Sequence, residues 1–256
     1  MTTKKQKPAP ENISASVDPA EIANFSALAA TWWDPNGPFK PLHKLNPTRI
    51  AYAKNSLCHH FKRDPHEDLP LKGLRILDIG CGGGLLSEPM ARLGVTMVGA
   101  DASEKNIKTA QVHADEMGLD VDYRHITAEE MAAAGEKFDA ILNMEVIEHV
   151  ADIPSFLNAC HSLLKDDGCM VVSTLNRTAK SWAMAIAGAE YIMRWLPRGT
   201  HDWHKFLKPS ELVRALDNSH FETIDLKGMV YHPFSGDWSL DSKDFAVNYL
   251  VLAQKK

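Results

Sequence analysis

Two features of the chain have the residue types and spacing for chemistry. The first is the run Asp78-Ile79-Gly80-Cys81-Gly82-Gly83-Gly84, followed twenty-one residues after Gly80 by Asp101. Glycines let a backbone take positive φ and approach a ligand closely, and a carboxylate at that distance is placed to accept hydrogen bonds from both hydroxyls of a ribose. The spacing is Gly80-x-Gly82-x-Gly84, whereas the dinucleotide fingerprint needs its third glycine at 85, where Leu85 stands. A pyrophosphate on a helix N-terminus is therefore not the best fit; the plainer alternative is a tight turn and a capping Asp. The second feature is Glu145, Glu148 and His149, spaced i, i+3 and i+4. On a helix these three share a face and could hold a hard divalent ion such as Mg²⁺; the alternative is a polar helix start that touches substrate or backbone. Cys81 has no base beside it and is given no nucleophilic role.

Both features need elements that place them on one edge. LRILDIG (74–80), VTMVGAD (95–101), VDYRHI (121–126), FDAILNM (138–144) and CMVVSTL (169–175) are short apolar runs that predict buried strands. Amphipathic segments at 85–94, 103–117, 128–134 and 153–164 predict helices between them, the second capped by Ser103 and the last closed by a turn at 166–168. This alternation predicts an α/β fold: a doubly wound, mostly parallel sheet covered on both faces, with the glycine loop, Asp101 and Glu145 at its ligand-binding edge. FETIDLKGMVY (221–231) and FAVNYLVLAQ (245–254) have no helix between them, so the sheet is expected to close with an antiparallel hairpin. Residues 179–199 interrupt the alternation. Trp182, Ile186, Ala189, Met193 and Leu196 share one helical face there, with three basic residues to one acidic. Such a segment suits a lid over the site or a helix lying in a membrane interface.

DIGCGGG with an acid ending the next strand resembles the Rossmann-like methyltransferases that use S-adenosylmethionine. The flanks carry a closer resemblance. FSALAATWWDPNGPFKPLHKLNPTRIAY (25–52), EVIEHV (145–150), STLNRTAKSW (173–182), GAEYI (188–192) and GTHDWHKFLKP (199–209) are similar to the ubiquinone-biosynthesis O-methyltransferases, in the same order. The resemblance runs from about residue 21 to the C-terminus and implies a seven-stranded Rossmann-like sheet. It also implies that Asp78, Gly80, Gly82, Asp101 and Met144 contact S-adenosylmethionine, with Arg49 gripping its carboxylate by a bidentate fork. Glu145, Glu148 and His149 match a triad described with a divalent metal in relatives. The implied substrate is a polyprenylated phenol or catechol, methylated on oxygen at two steps of ubiquinone biosynthesis. A phenol titrates near ~10, so a base or a metal must assist; His149 is the first candidate base and His201 the second. Trp32 and Trp33 either wall the site or anchor the N-terminal helix, and the sequence alone does not separate these uses.

The chain of 256 residues carries 33 acidic and 28 basic residues, a net charge of −5, which supplies no global attraction to nucleic acid. Four unpaired-looking cysteines fit neither a zinc site nor a disulfide scaffold. Residues 1–18 are expected to be a mobile tail without a targeting signal, and 19–256 a single domain. Its parts are an N-terminal helical cap at 19–70, a cofactor-binding core at 74–176, a lid or membrane-contact insertion at 179–208, and a C-terminal helix and hairpin at 209–256. The expected location is cytoplasmic and peripheral on the inner face of the membrane, in association with other enzymes of ubiquinone biosynthesis. Three alternatives stay open: a methyltransferase for another small phenol, a nicotinamide oxidoreductase and a non-catalytic cofactor-binding subunit.

Overall fold

The computed structural model describes residues 16–183 and 203–256. Five strands run parallel: β1 (Arg75–Ile79), β2 (Thr96–Asp101), β3 (Val121–His125), β4 (Phe138–Met144) and β5 (Leu164–Leu175). After them come β6 (Phe221–His232), β7 (Asp237–Asp241) and β8 (Asn248–Lys255). The sheet order is β3-β2-β1-β4-β5-β8-β6-β7, with β8 antiparallel to both β5 and β6. The expected antiparallel closure by residues of 221–231 and 245–254 is present. The expected count of seven strands is corrected to eight, because β7 folds back antiparallel on β6 through a turn at 233–236. That strand is short, and only Trp238 and Leu240 of its five residues are apolar, so it lacks the buried run that marked the others.

Period-two alternation feeds two apolar layers. Ile76, Met97, Leu142, Val171 and Leu252 face one side of the sheet. Leu77, Val98, Ile141, Val172 and Val251 face the other. The first layer is covered by α2 (Lys40–His60), α3 (Ser87–Ala91) and α4 (Glu104–Glu116), and the second by α5 (Ala128–Ala133), α6 (Ile153–Leu163) and α8 (Pro209–Asn218). Ser103 caps α4 as expected, its hydroxyl accepting from the Asn106 N–H at 3.3 Å. The expected helix at 85–94 is only the five residues of α3. The expected turn at 166–168 is instead an irregularity within β5, where pairing with β4 jumps from Leu164 to Cys169.

Two elements outside the sheet matter for the site. α1 (Pro19–Ala27) begins at Asp18, whose carboxylate accepts from the Ala20 N–H at 2.9 Å. Of the expected tail, residues 1–15 lie outside the described residues, whereas 16–18 belong to the fold: the Ser16 carbonyl accepts from the Ala151 N–H at 2.8 Å. Of the insertion, the described part holds α7 (Ala179–Ser181), capped by Thr178, and a half-exposed Trp182. The positions of Ile186, Ala189, Met193 and Leu196, and that of His201, lie outside the described residues.

Candidate active site

Strand order reverses between β1 and β4, and the crevice at such a point is where open α/β sheets bind ligands. The register places Ile79 beside Ala100 and Asn143, so the ends of β1, β2 and β4 lie side by side. Backbone N–H groups of Gly80 and Cys81 both donate to the Ala100 carbonyl, which ties the glycine loop to the end of β2. The Asp101 carboxylate accepts from the Gly82 N–H at 3.0 Å, the Ser103 N–H at 2.7 Å and the Asn106 amide at 3.3 Å. Burial raises its pKa, and the N–H donors of Ser103 and Gly82 oppose that rise.

Gly82 is glycine for a reason the sequence did not show. Its φ is 55°, and a Cβ there would stand 2.4 Å from Cζ2 of Trp32. The protein's own indole fills the space that the glycine leaves. Trp32 is buried, donates Nε1–H to Asn106 at 3.0 Å, and stacks on Phe39 with centroids 3.7 Å apart. Trp33 donates to the Gly83 carbonyl at 2.8 Å and stacks on His113. Both tryptophans therefore anchor the N-terminal cap to the loop, and Trp32 alone of the two also lines the cavity.

That cavity measures about 350 Å³. Gly80, Gly82, Asp101, Met144, Arg49, Glu145 and His149 line it, so seven of the expected site residues converge on one space. Asp78 does not reach it. Its buried carboxyl accepts from the Ser87 hydroxyl at 2.5 Å and braces α3 beneath the loop. Burial pushes its pKa up to about 7, against the Ser87 hydrogen bond. Cys81 is buried and its thiol is pushed well up by burial, consistent with a non-nucleophilic role.

Arg49 comes from α2, which Pro41 starts and whose Leu45, Arg49, Tyr52 and Ala53 turn inward. Its Nη2 lies 2.8 Å from Glu145, and its Nε is buried without a hydrogen-bond partner. Glu145 has a φ of 57°, in the left-handed region, and follows β4 directly. The helical premise for Glu145, Glu148 and His149 is thereby corrected: only Ile147–His149 form a short 3₁₀ turn, and Glu145 precedes it in a different conformation. Glu145 also accepts from the Ser173 hydroxyl. Burial tends to raise its pKa, but the Arg49 charge and Ser173 outweigh it and hold the carboxylate below the ordinary range. Glu148 accepts from the Thr174 hydroxyl at 2.8 Å, does not line the cavity, and is pushed well above the ordinary range by burial and by the Glu145 charge. Its Oε1 has no hydrogen-bond donor. The donor types suit a hard ion, but no group of three His, Cys, Asp or Glu among the described residues is arranged to hold one. As placed, Glu145 is committed to Arg49 and Ser173, and Glu148 accepts from Thr174 away from the cavity, so the three side chains are not gathered to hold a metal.

His149 stands with Nδ1 3.3 Å from Glu21 of α1 and edge-on to Phe25. Glu21 is drawn down to about 2 by the nearby His149 imidazole, against burial, with Lys205 adding to the effect. Sequence reasoning missed Glu21, because it lies 128 positions from His149 and nothing local links the two. Asn106, which joins Trp32 to Asp101, was equally unmarked. Tyr231 and Trp238 also line the cavity, and the hairpin signal of Pro233 and Gly236 between alternating residues could have found them.

A family model described as a methyltransferase domain matches residues 47–226. The ubiquinone biosynthesis O-methyltransferase of Cereibacter sphaeroides is 55% identical over 243 residues, covering 95% of this chain and 98% of that protein. The protein of that name from Ruegeria pomeroyi is 58% identical over 236 residues, covering 92% and 95%. Among solved structures, the plantazolicin methyltransferase in complex with a monoazolic desmethylPZN analog and S-adenosylhomocysteine superposes with a TM-score of 0.61 at 17% identity, covering 93% of this chain and 97% of that one. The magnesium protoporphyrin IX methyltransferase of Synechocystis with bound S-adenosylmethionine gives 0.57 at 18% identity, covering 95% and 100%. At these identities the structural likenesses speak for the fold, and the sequence relatives for the family. With its glycine loop, Asp101, Arg49 and His149 converging on one cavity, the chain belongs to the ubiquinone biosynthesis O-methyltransferases.

Proposed function

We propose that the cavity binds S-adenosylmethionine and that the chain methylates phenol or catechol hydroxyls of polyprenylated ubiquinone precursors, at both O-methylation steps. The observation that carries this reading is the convergence of Asp101, the glycine loop and Arg49 on one cavity with His149 in its wall. When bound, S-adenosylmethionine supplies an activated methyl group whose transfer to oxygen is an in-line displacement. Asp101 accepts hydrogen bonds from the ribose hydroxyls, and Met144 packs against the adenosyl group. Arg49, which carries a buried Nε without a partner, has a donor to spare for the cofactor's carboxylate. His149 takes the phenol proton and makes the oxygen nucleophilic; His201 is the second candidate for that role. No step passes through a metal. A divalent ion at Glu145, Glu148 and His149 would have to displace Arg49 from Glu145 and Thr174 from Glu148.

Membrane contact belongs to the same proposal. A cavity of about 350 Å³ lies at the small end of ligand pockets, ~300–1,000 Å³. A long prenyl tail would therefore be left outside, and a membrane surface bound through 179–199 would receive it. Association with other enzymes of the same route is a further part of the reading.

The deciding experiment is a methyl-transfer assay on demethylated precursors with long and truncated prenyl tails, in EDTA and with Mg²⁺ restored. Turnover by the purified chain, falling as the tail shortens, is the expected result. Indifference to the tail would favour the reading as a methyltransferase for another small phenol, and loss in chelator reversed by Mg²⁺ would bring the metal into the reaction.

A further inference from the structure

Strand β6 outruns the sheet at the edge where the glycine loop lies. It is antiparallel to β8, which is antiparallel to β5, so β6 runs in the direction of β5 and its C-terminal end reaches the edge shared by the ends of β1, β2 and β4. Its pairing with β8 stops at Met229, opposite Asn248, where β8 begins. Val230, Tyr231 and His232 pair with β7 alone among the described strands, so β6 and β7 continue over the edge as a two-stranded ribbon. Helix α2 seats the ribbon: the Thr48 hydroxyl donates to the Trp238 carbonyl at 3.3 Å, and a Cβ at Gly236 would lie 3.8 Å from Lys44 Nζ.

The overhang carries aromatic side chains. Tyr231 and Trp238 are direct cross-strand partners and share a face, with ring centroids 5.3 Å apart. Both line the cavity, beside Leu42 and Leu45 of α2. Phe234, in the turn at the tip of the ribbon, is fully exposed. The cofactor-binding groups stand elsewhere: the glycine loop and Asp101 end β1 and β2, and β6 lies about 19 Å from β1 at ~4.8 Å per strand. Asp244, between β7 and β8, pairs with Lys180 at 3.1 Å, so the ribbon also borders the start of 179–199.

Building on the reading of the chain as a methyltransferase of prenylated phenols, we propose that this ribbon is the subsite for the substrate's prenyl tail. Tyr231 and Trp238 pack the isoprene units nearest the phenol, and the tail then runs over the ribbon toward Phe234. Isoprene units are branched hydrocarbon without a hydrogen-bonding group, and aromatic faces bury such a chain while desolvating few polar atoms. A tail leaving this way keeps its first units out of water and departs on the side away from the cofactor. The pair also sets substrate choice, because a phenol without a tail leaves the rings uncovered and forgoes their burial.

Methyl-transfer kinetics on three demethylated precursors, with no tail, one isoprene unit and several, test the assignment. The readout is the ratio of kcat/KM for a tailed substrate to that for the tail-less one. Tyr231→Gln should lower this ratio about tenfold for both tailed substrates, while Tyr231→Phe, which keeps the ring, should retain it. Phe234→Ser, at an exposed turn, should leave the tail-less and one-unit substrates unchanged and lower the ratio several-fold for the long tail alone. Calorimetric binding of the tailed and tail-less phenols should follow the same order. Equal losses on all three substrates would mean that Tyr231 serves the fold, and ratios unchanged in Tyr231→Gln would place the tail elsewhere; either result overturns the inference and leaves the proposed function standing. Wild-type turnover indifferent to the tail would remove the prenylated substrate and the subsite with it.

Discussion

At Asp78, burial and hydrogen bonding act in opposite directions, and the outcome is measurable as a pH effect. Burial raises the carboxyl from its ordinary value near ~3.9 to about 7, with the Ser87 hydroxyl resisting. Below the unfolded value both states are protonated and the group favours neither. Between about pH 4 and 7 the unfolded chain has released this proton while the folded chain keeps it, so stability is lost as pH rises through that window. Asp78→Asn cannot ionise and escapes this loss. The variant should gain on the wild type from pH 4 to pH 7, by up to about 4 kcal/mol, and the gain should level off above pH 7. Thermal unfolding of both proteins at pH 4, 6, 7 and 8 checks it; a difference independent of pH would show that Asp78 is ionised in the folded state. Arg49 shows a different economy at the same scale. It is buried beside one carboxylate with its Nε left without a hydrogen-bond partner, an arrangement that is costly unless a ligand completes it.

Between elements, the glycine loop and the N-terminal cap fit each other as plug and socket. Trp32 cannot retreat, because Asn106 holds its Nε1 and Phe39 stacks on its face. Gly82→Ala therefore meets two penalties: a non-glycine residue at φ 55° and a Cβ 2.4 Å from the indole. Each costs on the order of 1–3 kcal/mol. Denaturant unfolding should show a loss of about 3 kcal/mol for Gly82→Ala, and a smaller loss when the same change is made in a Trp32→Ala background. Strict additivity of the two substitutions would mean that the indole and the loop do not share that space. The same plug-and-socket contact explains why the cap carries chemistry: Arg49 and Glu21 reach the cavity from α2 and α1, and both helices are seated by their tryptophan-containing connection.

Over the whole molecule, the charge of −5 and the local excess of basic residues at 179–199 point in different directions. No helix of the described residues is long and apolar enough to cross a membrane, so contact with a bilayer would have to be peripheral for those residues. Trp182 is half-exposed just before the segment that lies outside the described residues, and is available to an interface. Replacing Trp182 and Ile186 by Asp should reduce co-sedimentation with anionic liposomes several-fold, on the order of 1–3 kcal/mol for two lost apolar anchors. Unchanged binding would leave 179–199 as a lid alone. Turnover of a truncated, soluble substrate measured in parallel would separate a loss of membrane contact from a loss of fold.

How far the sequence reached depends on whether the signal was local. β1 to β5, the Ser103 cap and the antiparallel closure of the sheet were legible because each is written in contiguous periodicity and turn residues. The cofactor loop and Asp101 were legible for the same reason, being two motifs at the ends of consecutive strands. β7 escaped because an exposed five-residue edge strand has little apolar pattern. The helical face proposed for Glu145, Glu148 and His149 failed because spacing assumes a helix, and the left-handed φ at Glu145 breaks it. Glu21 beside His149, Trp32 in the space beside Gly82 and the retreat of Asp78 from the cavity were decided by tertiary structure alone. Sequence by itself determined the elements and which residue types stand at the edge of the sheet. Which of those groups meet, and which are buried with which partner, follows from packing between segments a hundred residues apart, and no local pattern encodes that.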